Sequence, residues 1–530
     1  MSQPVSYCPA TDTALVREQT VGSLLRWATE RAPDTRALVE GVPDGRTWTY
    51  TDLLADAERA AQALLGRFAP GERIAVWANN IPEWVVLEMA AALAGLTLVT
   101  VNPALRPAEL RHVLGQSRSA GVFLLHEYRG TSMAESLAGV RADLPELREA
   151  LFFADWPAFL ASGSPTQALP AVAPGDPAQI QYTSGTTGTP KGAVLHHNGI
   201  VNNARLSYVR VFGLRPGEVC VNPMPLFHTA GCVLATLSSI AGLGTQVLLP
   251  GFDPALQLRL VESERSVLFG GVPTMLLAML NHPDFASTDL SSVRFSISGG
   301  ATVPPQLVDR VEQATGAPML IIYAQTEASP GITMTRMDDT PEDRRTTLGR
   351  PLPGAEVKIA DPLDGATPLP LDAVGELCTR GYHVMTGYFD APEQTAAAID
   401  ADGWLHTGDL ARMDERGYCR IEGRLKDMII RGGENIYPRE IEQVLLSHPN
   451  VQDVAVLGVP DETWGEQVAA FVVLAPDAPA DETVLFDHVR EHLAPHKTPK
   501  VWRFVDAFPL TGSGKIQKFA LRDRFLAEAR

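Results

Sequence analysis

Residues 51–67 carry apolar side chains at Leu53, Leu54, Ala57, Ala60, Ala61, Leu64 and Leu65, a repeat of three to four positions. That repeat predicts an amphipathic helix with Thr51 as its N-cap and Gly71 in the turn that follows. The rhythm then changes, because Arg73–Trp77 (RIAVW) is a short apolar run of the length of a buried strand. Residues 85–101 are apolar almost throughout, broken by Glu88 and Gly95. At about 17 residues the run is marginal for a membrane span and reads as a buried helix entering a strand at 98–101. A helix at 107–117 and a strand at 121–125 repeat the alternation. Strands separated by helices predict a largely parallel sheet covered on both faces.

The pattern continues beyond a Pro/Ala/Gly/Ser-rich stretch at 155–176. Residues 266–269 and 293–297 read as strands, each followed by a glycine pair, Gly270-Gly271 and Gly299-Gly300. Ligands of open α/β sheets gather at the carboxyl ends of strands, so these turns mark where a site is expected. From about residue 348 short strands such as 356–359 and 375–378 predict a smaller β-rich subdomain. After 423–427 the chain offers helices at 438–447 and 484–493 and strands at 454–456, 469–474 and 501–505. This last α+β unit of roughly 100 residues is large enough for its own core.

Composition narrows the function classes. The 530 residues carry a net charge of -18, with 45% hydrophobic and 20% charged residues. A soluble globular protein is expected, with neither nucleic acid nor an anionic membrane as its main partner. Residues 490–530 are locally basic, with nine Lys/Arg against four Asp/Glu. Cys8, Cys220, Cys232, Cys378 and Cys419 are odd in number and unpaired in spacing, which predicts neither disulfides nor a zinc site. The N-terminus lacks a basic stretch followed by an apolar one, so no secretory signal is predicted and a cytoplasmic location fits best.

Candidate chemistry begins at 179–182 (QIQY), which alternates like a strand and leads directly into Thr183 to Gly192, TSGTTGTPKG. Such a loop can turn backbone N–H groups and several hydroxyls toward an anion, with Lys191 as a point charge for a phosphate. The spacing is not that of the Gly-x-x-x-x-Gly-Lys-Ser/Thr loop.

This loop closely resembles the phosphate loop of adenylate-forming enzymes, which include acyl-CoA synthetases, and further motifs of that superfamily follow in order. The resemblance implies phosphate binding by Thr183, Ser184, Gly185, Thr186, Thr187, Gly188 and Lys191. PMPLFHTAG (223–231) is similar to the segment beside the acyl pocket, with His228 as a gate. Gly299, Gly300 and Ala301 resemble the adenine loop, and YAQTE (323–327) the motif whose tyrosine covers adenine. Its threonine, Thr326, would meet the α-phosphate, and its glutamate, Glu327, would hold Mg²⁺. Ala324 stands where the family has glycine.

Asp409 and Arg424 match the ribose-binding aspartate and arginine, and Lys426 falls at the hinge. Arg431, Gly432 and Gly433 resemble the lining of the CoA tunnel, and Lys515, in PLTGSGK (509–515), the catalytic lysine. The implied acyl pocket draws on His228, Gly231, Val272, Gly300, Ala324 and Gly331.

The fold expected is α/β. Residues 1–425 would form a large N-terminal domain of layered α/β subdomains plus the β-rich one, and 426–530 a small mobile α+β domain. The implied activity is ATP-dependent acyl-CoA synthesis through an acyl-adenylate, with ATP, Mg²⁺ and coenzyme A required. Small apolar residues around the expected pocket suggest a fatty acid of medium or long chain, or a bulky polycyclic or aryl acid. A stand-alone enzyme loading a carrier protein, a luciferase-like oxygenase and a catalytically silent ATP-binding regulator remain alternatives. The sequence leaves a homodimer open.

Overall fold

The computed structural model describes residues 5–183, 190–362, 364–432, 434–509 and 516–528. One seven-stranded sheet runs Gly387–Tyr388, Lys191–His196, Pro177–Thr183, Thr97–Val101, Arg73–Trp77, Gly121–Leu124, Glu149–Phe152. Neighbours from Pro177–Thr183 onward are parallel, and the first two joins are antiparallel. Helix Pro82–Leu93 is buried at every position except Glu83 and packs against helices Val21–Arg31 and Tyr50–Leu65. A helix apolar on all faces must be covered on all faces, which is why the 85–101 run lies at the centre of the layer.

The cap of Tyr50–Leu65 is Thr49 rather than the expected Thr51. Asp52 N donates to Thr49 Oγ1 at 3.1 Å, and Thr49 N donates back to Asp52 Oδ2 at 3.0 Å. The reciprocal pair satisfies two otherwise unpaired donors, whereas Thr51 spends its hydroxyl on Pro33 O at 3.0 Å.

A second layer joins Val219–Asn222, Thr245–Leu248, Arg36–Glu40 and Thr47–Thr49. A third runs Leu268–Gly270, Phe295–Gly299, Met319–Ala324, Gly331–Met334, Arg350–Pro351, parallel over its first three strands. Two of these strands start two residues later than the sequence suggests and take in their terminal glycines. Ser266 is held back in the connection, where its hydroxyl oxygen accepts from both Val221 N and Leu268 N at 3.2 Å.

The β-rich subdomain is a five-stranded antiparallel sheet: Tyr7–Cys8, Ala355–Ala360, Gly375–Gly381, Leu405–Met413, Cys419–Arg424. Beyond it, Val451–Asp461 and Gly465–Leu474 form a long hairpin, and Ile429–Arg431 and Val501–Phe504 both pair with its second strand, at different points along it. Val454 and Val456 face helices Pro438–Leu446 and Glu482–His492, while Ala455, Leu457 and Val459 pack with Leu521 of helix Lys518–Glu528. The period of two thus serves two cores, one on each face. The fold is mixed α/β with a large N-terminal and a smaller C-terminal domain.

Candidate functional site

Three strands deliver the site's first group of side chains. Thr183 ends one strand and faces Lys191, the start of the next, across an antiparallel pair. Glu327 sits on the short helical turn Thr326–Ala328 that follows Met319–Ala324, and Met385 N donates to its backbone carbonyl at 2.8 Å. Asn203 fixes the strand after that turn: Gly331 N donates to its Oδ1 at 2.9 Å, and its Nδ2 donates to Gly331 O at 2.8 Å.

Glu327 Oε1 accepts from Tyr388 OH at 2.8 Å and, at 3.4 Å, from Thr183 Oγ1. The Lys191 ammonium lies 5.1 Å from the centre of the Tyr388 ring. Burial and the Glu327 charge push the Tyr388 phenol far above its ordinary range, so it remains a donor. A half-buried carboxylate amid hydroxyls is a hard-oxygen donor set that fits Mg²⁺. Ser184, Gly185, Thr186, Thr187 and Gly188 lie outside the described residues.

A second cluster is built around Asp409, the residue expected at the ribose, which is 5% exposed. Its Oδ2 accepts from Tyr323 OH at 2.7 Å and from Gln325 Nε2 at 3.0 Å, and its Oδ1 lies 3.1 Å from Arg424 Nε. Asp409 and Arg424 are register partners on adjacent strands, so backbone pairing sets this contact. Gln325 Nε2 also donates to Thr407 O at 2.8 Å.

Ahead of Asp409, Gly408 takes φ +68 and its N–H donates to Glu376 Oε1 at 2.9 Å. Glu376 Oε2 also lies 2.8 Å from His406 Nδ1, and this carboxylate holds the imidazole above its usual value. Burial, with Asp409 behind it, pushes the Tyr323 phenol well up. Gly299 is required by close approach, since a Cβ there would lie 2.5 Å from Ile322 O. Gly300 has φ +76, and Ala301 is exposed.

Among the residues expected to line an acyl pocket, His228 is exposed at the start of the wide (π) helix Ala230–Leu237, and Ala230 N donates to its Nδ1 at 3.3 Å. A Cβ on Gly231 would lie 2.2 Å from Pro225 O, so glycine lets the helix meet the preceding turn. Val272 caps helix Pro273–Leu280 and is 3.8 Å from where a Gly300 Cβ would stand. Ala324 is half-buried. Gly331 is buried beside Leu352 and Asn203, so its smallness serves that packing. Nearby lies a cavity of about 30 Å³ whose lining includes Tyr208, Asn222, Met224, Ala235 and Gly271, with no charged side chain.

In the C-terminal domain the Arg431 guanidinium lies 4.7 Å from the centre of the Trp464 ring, and its Nε donates to Gln467 Oε1 at 2.7 Å. Gly432, at φ +60, donates its N–H to Trp464 O at 2.8 Å. Lys426 is exposed in the turn Leu425–Asp427. Gly433 and Lys515 lie outside the described residues. Among the described residues no helix is long and apolar enough to cross a membrane.

The structure therefore groups Thr183, Lys191 and Glu327, and separately Tyr323, Asp409 and Arg424. Tyr388, Gln325 and Asn203 escape sequence reasoning. Gln325 lies inside a recognised motif, whereas the other two act across 61 and 128 residues and leave no local signal.

Comparison with known proteins shows the family. The family model "AMP-binding enzyme" matches residues 25–389, and "AMP-binding enzyme C-terminal domain" matches 440–515. YngI of Bacillus subtilis (strain 168) is 39% identical over 538 residues, covering 95% of this chain and 97% of its own. The mitochondrial medium-chain acyl-CoA ligase ACSF2 of Danio rerio is 37% identical, covering 98% and 90%. ATP-bound MatB from Rhodopseudomonas palustris superposes with a TM-score of 0.87 at 31% identity, covering 96% and 99%. The chain belongs to the AMP-binding enzyme family and is an AMP-forming acyl-CoA synthetase.

Proposed function

We propose that the acid activated is a monocarboxylate with an apolar body: a medium- or long-chain fatty acid, or a bulky polycyclic or aryl acid. The observation that supports this reading is the small, uncharged character of the residues expected around the acyl group (Gly231, Val272, Gly300 and Ala324), beside which even the water-sized cavity at Gly271 has no charged side chain in its lining. A substrate amino group or second carboxylate buried there would lack a counter-charge, at a cost of several kcal/mol. The name of the ACSF2 relatives, medium-chain acyl-CoA ligases, points the same way.

In this proposal the acid's carboxylate attacks the α-phosphate of ATP, giving acyl-adenylate and pyrophosphate. Residues 183–188 and Lys191 hold the polyphosphate, Thr326 meets the α-phosphate, and Lys515 bridges it to the carboxylate. Tyr323 with residues 299–301 holds adenine, and Asp409 with Arg424 holds ribose. Glu327 would hold Mg²⁺, which supplies charge neutralisation for the phosphates. The C-terminal domain, from 426 onward, then turns about Lys426 and brings Arg431 to Gly433 to the CoA arm. The CoA thiol attacks the acyl carbon, and AMP leaves with the C–O bond that breaks.

The test is CoA-thioester formation across straight-chain, aryl and polycyclic acids, with malonate and an amino acid as charged controls. The reading predicts turnover with free CoA and an apolar acid. Preference for a charged control would overturn it, and a requirement for a carrier protein would replace CoA as acceptor.

A further inference from the structure

Tyr388 belongs to the two-residue strand Gly387–Tyr388 at the edge of the seven-stranded sheet and pairs with Ala193. That register sets it beside the strand that Lys191 begins. Its backbone is anchored twice over. Tyr388 N donates to Thr395 Oγ1 at 2.9 Å, and the next residue, Phe389, donates its N–H to Gly192 O at 2.8 Å. The Met385–Tyr388 segment in turn grips Glu327 at both ends, by Met385 N on the backbone carbonyl and by the phenol on the carboxylate.

One side chain therefore touches two groups of opposite charge. The hydroxyl donates to Glu327 Oε1 at 2.8 Å, and the ring face carries the Lys191 ammonium at 5.1 Å. A neutral donor on Oε1 orients the carboxylate without cancelling its charge and leaves Oε2 for another partner. The ring attracts the ammonium without forming an ion pair, so the lysine keeps its charge for a phosphate. A carboxylate and an ammonium in direct contact would neutralise each other, and the interposed phenol holds them in one frame without that.

We infer that Tyr388 is a positioning residue for the metal–nucleotide complex: it fixes the Glu327 carboxylate and the Lys191 ammonium relative to each other and so sets cation affinity. The inference rests on the proposed assignment of Glu327 to Mg²⁺ and Lys191 to phosphate. Tyr388→Phe removes only the hydroxyl, Tyr388→Leu also removes the ring, and Glu327→Gln tests the underlying assignment.

The readout is Mn²⁺ binding by electron paramagnetic resonance in the presence of α,β-methylene-ATP, with thermal midpoints as a control. The bond is already made in the metal-free chain, so only its orienting share acts on the cation: Tyr388→Phe should weaken Mn²⁺ binding several-fold, up to about ten-fold, in a chain that remains folded with a slightly lower midpoint. Pyrophosphate exchange should need correspondingly more Mg²⁺ to reach half its maximal rate, and Tyr388→Leu should in addition raise the KM for ATP. If Tyr388→Phe binds Mn²⁺ like the parent while Glu327→Gln does not, the positioning role is wrong and the cation assignment stands. If Glu327→Gln also binds normally, the assignment fails and takes the Tyr388 inference with it.

Discussion

Glu88 is a carboxyl group in the middle of a helix that is otherwise almost wholly apolar, and it is 3% exposed. Its Oε1 accepts from Gln179 Nε2 at 2.6 Å, and its Oε2 has no hydrogen-bond partner among the described residues. Among the described residues no cation faces it, and burial pushes its pKa well above the ordinary carboxyl range. The folded chain therefore keeps a proton that the unfolded chain releases above a pH of about 4.3. Stability from this group is complete below that pH and falls by about 1.4 kcal/mol per pH unit as pH rises toward the folded pKa.

Glu88→Gln keeps the shape and removes the titration. Its amide N–H₂, placed where no acceptor waits, costs about 1–3 kcal/mol at every pH. The slope, not the level, is thus the signal. Relative to the parent, the variant should gain stability as pH rises from 5 toward the folded pKa, by at most about 1.4 kcal/mol per unit.

Urea unfolding followed by tryptophan fluorescence, parent against variant at each pH, measures this, with refolding as a check on reversibility. Carboxylates held low by Arg148, Arg416 and Arg380 (Glu72, Asp343 and Glu356) lose stability in the opposite direction, as pH falls, and cancel in the comparison. A difference that stays flat from pH 5 to 7 would show that Glu88 is ionised in the folded chain and refute the reasoning.

Three further outcomes are expected. Lys515→Ala should slow adenylation by about 10²–10³-fold while sparing thioester formation from pre-made acyl-adenylate and CoA, and equal loss of both half-reactions would contradict the role given to it. Gly231→Ala drives a methyl into Pro225 O, so the unfolding free energy should drop by about 1–3 kcal/mol and the KM for the acid should rise more than that for ATP. Lys426→Pro should keep pyrophosphate exchange and lose thioester formation; both activities within a few-fold of the parent in a folded variant would place the pivot elsewhere.

Strict periodicity made much of the fold legible. Arg73–Trp77 lies where its apolar run ends on both sides, and the helix expected at 107–117 is Pro107–Gln116. The C-terminal hairpin was harder to read. Residues 454–456 are the apolar centre of Val451–Asp461, but Asp453 and Pro460 disguise a strand stabilised by pairing with Gly465–Leu474 along its length. Helix Lys518–Glu528 buries Leu521 with Phe525 packed beside it one turn on, a stripe of two side chains too short to stand out in the sequence. Tyr323, Glu327, Asp409 and Arg424 could be proposed from the sequence because each lies in a contiguous motif, although the contact of Tyr323 with Asp409 spans 86 residues. Tyr388 and Asn203 could not, because their contacts exist only once distant strands are paired.

The cross-strand pair of Asp409 and Arg424 has a mechanical side. Arg424 is the last residue of the antiparallel ladder, so the sheet stops one peptide short of the turn that contains Lys426. A torsional change at Lys426 would leave every rung of that ladder intact. Its cost falls instead on the surface where helix Pro438–Leu446 rests on Cys419–Arg424. Nucleotide held at Asp409 would therefore clamp the stationary side of the joint. If the chain does turn there, the part beyond Lys426 would carry its own two cores with it, so a swing would exchange one contact surface for another without loosening either body.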